Sequence, residues 1–368
     1  MVIAGIYFFG FFAHSLYLRK AVYGDGIYYF SWLRSIVIDT DIDFTNEYVR
    51  LGGMQPVLPS GIPGNKYALG PAILWAPSYL WIHSLVAGDG YTLPYQLAVG
   101  FTTVGLTVTG LVLLFLALGK YFSTAVSIAS TLSIAVASNL FFYGSLDPAN
   151  THGLSFFSAT LFLYLVLKNK KNWYALGASL GLCALIRPQD MLWGLLLLPN
   201  ISRRTLFPAV VGFVLAFLPQ MAAWQGLYNS FWLSPYLAGA EGFRFNISHV
   251  PSVLFSAQNG LFLWTPVTLL GFIGLFLLKS GRLAYRNYFL SVVALQILLV
   301  SSWSTWWQGA SYSGRMFVSL LPIFAFGLAG LYQRFAQKGW RLGHFLRIAV
   351  LPLGVLNFLA ILYFLLVN

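Results

Sequence analysis

Continuous apolar runs recur along this whole chain, and no other feature constrains its fold so tightly. They fall at 2–18, 95–118, 122–142, 152–167, 173–187, 190–200, 205–224, 258–278, 286–302, 316–333 and 346–367. A helix crossing a bilayer needs roughly 17–25 apolar residues. Lipid offers no water to backbone groups, so spanning segments are helices or barrel strands. These runs are unbroken rather than alternating, which selects helices. Only 8% of residues are charged and 58% are hydrophobic. Soluble domains carry about 25% charged residues, so lipid is the expected solvent for most of the surface. The reading is an all-α polytopic membrane protein of about eleven transmembrane helices, with residues 1–368 forming one transmembrane domain and no soluble domain. Residues 19–94 form a first external loop and 225–257 a second. The apolar stretch Val2–Phe12 lacks a basic lead and a small-residue cleavage site, so it reads as a retained helix.

Charge decides two ambiguous segments. Residues 68–87 are apolar enough to cross. If they lie at the outer interface instead, the basic residues Lys120, Lys168, Lys170, Lys171, Arg203, Arg204, Lys279, Arg282, Arg286, Arg334, Lys338, Arg341 and Arg347 share one side with no acid. All the acids fall opposite: Asp25, Asp39, Asp41, Asp43, Glu47, Asp89, Asp147, Asp190 and Glu241. The acid-free basic side is cytoplasmic by the positive-inside rule. The segment 68–87 therefore reads as an interfacial helix, its Trp75, Tyr79 and Trp81 suiting that depth. A single helix over 173–200 would hold Arg187 and Asp190 at mid-membrane, at roughly 2.5–3.5 kcal/mol per charge. Two short helices meeting at Arg187-Pro188 avoid this. The N-terminus is then cytoplasmic, the C-terminus external, and a prokaryotic cell (inner) membrane the expected location. The +12 net charge is explained by this asymmetry rather than by nucleic acid. The lone Cys183 excludes an intrachain disulfide.

Scarcity makes each acid a candidate. Asp25 stands between two glycines just past the first span. There a carboxylate beside apolar and aromatic groups is open to a raised pKa and a general-base role, or is simply a turn or cap residue. Asp39, Asp41, Asp43 and Glu47 read as a solvated acidic loop, with Asp41 and Asp43 open to a substrate or a divalent cation. Their spacing lacks the glycine and final glutamate of a calcium loop. On the same side, Lys66, Arg187 and Arg315 supply cations suited to an anionic group such as a lipid phosphate, or snorkel to headgroups. Asp147 and His152 share a short external loop. Trp303, Trp306 and Trp307 form an interface belt or stack on a sugar ring. His14 and His83 read as packing or interfacial residues. No phosphate-binding loop, dinucleotide fingerprint or zinc-protease motif occurs.

In order, these motifs run from Asp25 after the first helix, through Lys66-Tyr-Ala-Leu-Gly-Pro71, then Tyr143 to His152, to Arg187 between two short helices. Phe255 to Pro266 and Trp306 to Arg315 follow. The order resembles membrane glycosyltransferases of the GT-C superfamily, in the branch of aminoarabinose transferase and the protein O-mannosyltransferases. The resemblance implies a GT-C-like bundle that moves a sugar from a polyprenyl-phosphate carrier to an unknown glycan, lipid or protein acceptor outside the cytoplasm. It places the catalytic or acceptor-orienting carboxylate on Asp25, and phosphate binding on Lys66 and Arg187; Arg315 is added from charge placement. Two departures stand out: relatives often carry paired acids where Asp25 has glycine neighbours, and no soluble C-terminal domain is expected here. A transporter or flippase for a lipid-linked or anionic solute is the main alternative, and a non-catalytic membrane subunit a second.

Overall fold

The computed structural model describes residues 1–168, 172–233, 235, 242–278 and 285–367. Lys170, Lys171, Glu241, Lys279 and Arg282, used above to assign sides, lie outside the described residues. Within them the regular secondary structure is all helical, apart from two isolated bridge pairs. The main helices are α1 (Val2–Leu18), α2 (Gly26–Arg34), α3 (Gly70–Leu85), α4 (Leu93–Leu118), α5 (Thr124–Ala137), α6 (His152–Lys168) and α7 (Trp173–Ile186). After a 3-10 helix, Pro188–Asn200, come α8 (Arg203–Tyr228), α9 (Pro266–Leu277), α10 (Arg286–Ser301), α11 (Leu321–Ala336) and α12 (Leu351–Val367).

Eleven full-length crossings are not what the helices provide. Among the described residues four are long and apolar enough to cross a membrane: Leu93–Leu118, Arg203–Tyr228, Arg315–Ala336 and Leu342–Val367. Six further apolar helices, α1, α5, α6, α7, α9 and α10, have 10–17 residues. Local breaks cause several of the differences. The run at 258–278 divides at Thr265-Pro266 into Leu261–Trp264 and α9. The run at 122–142 stops at Ala137, where Ser138 turns extended, and resumes as a π turn at Phe142. The run at 190–200 is not α-helical at all. On α8 and α12, Phe207, Leu215, Phe358 and Leu366 are exposed, apolar faces compatible with a lipid environment.

The break at 187–188 is present as the charges required. Arg187 is extended, and Pro188 opens the 3-10 helix. The segment expected at 68–87 is a helix, but its aromatic residues are not an interfacial belt. Trp75 and Tyr79 are fully buried. The Trp75 indole donates to Thr103 Oγ1 on α4 at 2.8 Å, and the Tyr79 hydroxyl donates to the Gly90 carbonyl at 3.0 Å. Only Trp81 remains well exposed. Helix α3 thus packs along α4 as part of the protein core. Its first residue, Gly70, lies so close to the Leu185 carbonyl that a β-carbon there would overlap it. That approach brings the Lys66-Tyr67 lead-in to the break at Arg187.

Candidate functional site

Two glycines place Asp25. Gly24 has φ +53°, a left-handed turn that most side chains resist. A β-carbon on Gly26 would lie 2.9 Å from that of Ala149. Gly26 therefore lets α2 settle on the turn at Pro148–Asn150. Asp25 occupies the N-cap position of α2 yet makes no side-chain cap bond. Its carboxylate turns away from the helix instead. One oxygen receives the Tyr67 hydroxyl at 2.9 Å and the other pairs with Arg315 Nη1 at 2.8 Å. Tyr67 is held by stacking on Tyr28, with ring centroids 4.7 Å apart. Asp25 is thus a turn and N-cap residue by position, while its side chain caps nothing.

Asp25, Lys66, Arg187 and Arg315 line one cavity of about 510 Å³. They come from four regions of the chain: the start of α2, the lead-in to α3, the α7 break and the start of the 3-10 turn Arg315–Leu320. Trp303, Thr305, Trp307 and Gln308 share its lining, with Ile186, Leu299 and Met316 adding apolar surface. Three cations face one carboxylate, a surplus of two positive charges. Arg187 Nη2 donates to the Asn150 carbonyl at 3.3 Å and to His152 Nε2 at 3.0 Å. Because arginine only donates, that histidine nitrogen accepts, and the ring carries its proton on Nδ1. The Nε atoms of Arg187 and Arg315 are buried without a hydrogen-bond partner. Unsatisfied donors on buried cations are costly, and the cationic surplus of the lining favours an anionic occupant.

The expected upward shift of Asp25 is reversed. Burial does push its carboxyl up, but Arg315, the Tyr67 hydroxyl, Arg187 and Lys66 together outweigh burial and hold it below the usual carboxylate range. Asp25 is an anion whose lone pairs are already directed. Asp147 carries the raised carboxyl instead. Burial, opposed by the Asn150 amide and reinforced by the nearby Asp25 charge, lifts it to about 7. One of its oxygens accepts from Asn150 Nδ2 at 3.1 Å; the other is buried without a partner.

Not every candidate reaches the cavity. Asp147 and His152 are buried behind its wall, His152 acting as a support for Arg187 and packing on Tyr143 with centroids 4.7 Å apart. Asp41 and Asp43 are turn residues. Asp41 accepts from Ser35 Oγ at 2.6 Å and Asp43 from Thr45 Oγ1 at 2.6 Å. Asp39 and Glu47 pair with Arg34, which binds the acidic loop to α2. Among the described residues no three His, Cys, Asp or Glu side chains come together as metal ligands. Trp307 lines the cavity, whereas Trp306 packs edge-on to it and against His249. His83 bonds the Tyr95 hydroxyl through Nδ1 at 2.8 Å, a packing role.

Sequence reasoning missed Tyr67, Thr305 and Gln308 as site residues. Tyr67 sat within a quoted motif; Thr305 and Gln308 carried no signal beyond their nearness to the tryptophans. Comparison of the chain with protein-family models, curated proteins and solved structures finds no match.

Proposed function

We propose that this cavity transfers a sugar from a polyprenyl-phosphate-linked donor to an acceptor hydroxyl, with inversion, on the non-cytoplasmic side of the membrane. The observation that carries the proposal is the convergence of Lys66, Arg187 and Arg315 on one cavity beside a single carboxylate directed by Tyr67 and Arg315. In this reading the acceptor oxygen attacks the anomeric carbon as the bond from that carbon to the phosphate oxygen breaks. The bonding electrons leave with the polyprenyl phosphate. Charge grows on the phosphate as it departs, and fixed cations stabilise it most at that point. The acceptor proton passes to Asp25 and then to the departing phosphate or to water. With a depressed pKa, Asp25 is a weak base, so its larger contribution is to orient the acceptor hydroxyl.

Thermal stability of the purified protein against a panel of polyprenyl-phosphate sugars tests this. Stabilisation by one donor, lost in Arg187→Ala, followed by release of polyprenyl phosphate with a new glycosidic bond, is the expected result. Binding with no turnover, together with donor movement across liposomes, would support a flippase instead.

A further inference from the structure

The cavity wall has a second chemical character that phosphate binding leaves unused. The turn from Trp303 to Gly309 contributes several lining residues and none of them is charged. Two of its polar groups are buried without a partner: Thr305 Oγ1 and Gln308 Nε2. Gln308 is 1% exposed. Its backbone is left-handed at φ 61°, followed by Gly309 at φ 71°, a conformation uncommon for a glutamine. The other end of its amide is fixed, since Oε1 accepts from the Met316 N–H at 2.9 Å. The amide nitrogen is therefore held in one orientation beside the charged residues, and the place of a Gly309 β-carbon lies 3.6 Å from Arg315 Nη2.

We propose that this turn is the glycosyl subsite: Gln308 donates its amide N–H, and Thr305 shares its hydroxyl, with oxygens of an uncharged hexose attached to the phosphate. This rests on the functional reading above and adds a substrate class to it. A buried donor that goes unmatched discriminates strongly against a ligand lacking the oxygen. The lining carboxylate is already paired to Arg315, so an ammonium-bearing sugar finds no free anion there. A neutral sugar fits both the donors and the cationic surplus.

The test compares two synthetic diesters of equal charge, citronellyl methyl phosphate and citronellyl hexosyl phosphate, by titration with the intact protein in detergent. Wild type should bind the hexosyl diester more tightly for at least one hexose. Thr305→Val and Gln308→Ala should each remove about three- to tenfold of that preference, the range of one hydrogen bond, and Thr305→Val should leave the methyl diester unchanged. Thr305→Val is the cleaner variant, because its hydroxyl supports nothing else. Arg187→Ala should weaken both diesters alike. Equal loss of both ligands in Thr305→Val and Gln308→Ala, or a wild type indifferent to the sugar, would overturn the subsite while leaving phosphate binding in place. Failure of wild type to bind either diester would remove the functional reading itself.

Discussion

Asp25 shows how far a residue's neighbours decide its chemistry. Alone in a glycine-flanked turn it had room for either a raised pKa or a cap. Paired with Arg315 across 290 positions it becomes a directed anion. Asp25→Asn should lower turnover about 100-fold or more, the range for losing a positioned acid–base group, while donor affinity holds. Unchanged turnover would remove Asp25 from the reaction. Two carboxyls also predict opposite pH slopes of stability. Asp25 has a depressed folded pKa, so its contribution is present above the unfolded value and is lost as acid titrates the folded state. Asp147, raised to about 7, binds its proton more tightly when folded. Stability should then fall as pH rises from about 4 to about 7. Thermal midpoints in detergent across pH 4–8 should show that decline in wild type and a clearly smaller one in Asp147→Asn. A decline of undiminished size in the variant assigns it to other groups.

Among the elements, close helix crossings hold the frame that presents the site. Gly271 and Gly274 on α9 meet Gly327 on α11 so closely that an added β-carbon would overlap a carbonyl. Gly177 on α7 and Gly212 on α8 do the same. Small residues at such crossings let backbones approach where lipid leaves little hydrophobic drive. Gly327→Ala should destabilise by about 1–3 kcal/mol, the usual cost of overpacking, read as a lower thermal midpoint with the ligand affinities retained. A wild-type midpoint would mean the helices part at little cost. Gly70→Ala should differ in kind. It would push α3 from the α7 break and separate Lys66 from Arg187, so donor affinity should fall more than stability. The break itself was legible, because a buried Arg187 beside Pro188 has few other solutions. The core placement of Trp75 and Tyr79 was not, since an aromatic belt and a buried aromatic face read alike in one dimension.

For the whole molecule, the charge partition predicts sidedness. With Cys183 replaced by Ser, Val49→Cys on the exposed short helix Thr45–Leu51 should react with a membrane-impermeant maleimide in intact cells. Lys338→Cys, exposed after α11, should react only after permeabilisation. The reverse pattern would invert the orientation and move the cavity to the cytoplasmic side. Among the described residues, four long apolar helices stand with six shorter ones. Hydropathy windows cannot separate a full crossing from a short helix extended by a 3-10 or π turn, and so the count of eleven did not survive.

By itself the sequence determined the all-helical class, the break at Arg187-Pro188 and the rarity that marked out Asp25, Lys66, Arg187 and Arg315. Those depend on composition, local backbone preference and the cost of charge in lipid, all of which act within a few residues. The tertiary structure alone decided that Asp25 pairs with Arg315, that Asp147 and His152 stand behind the cavity wall, and that Gln308 is part of its lining. Pairing, burial and the direction of a side chain depend on contacts between segments far apart in the chain, and local sequence leaves those distances open.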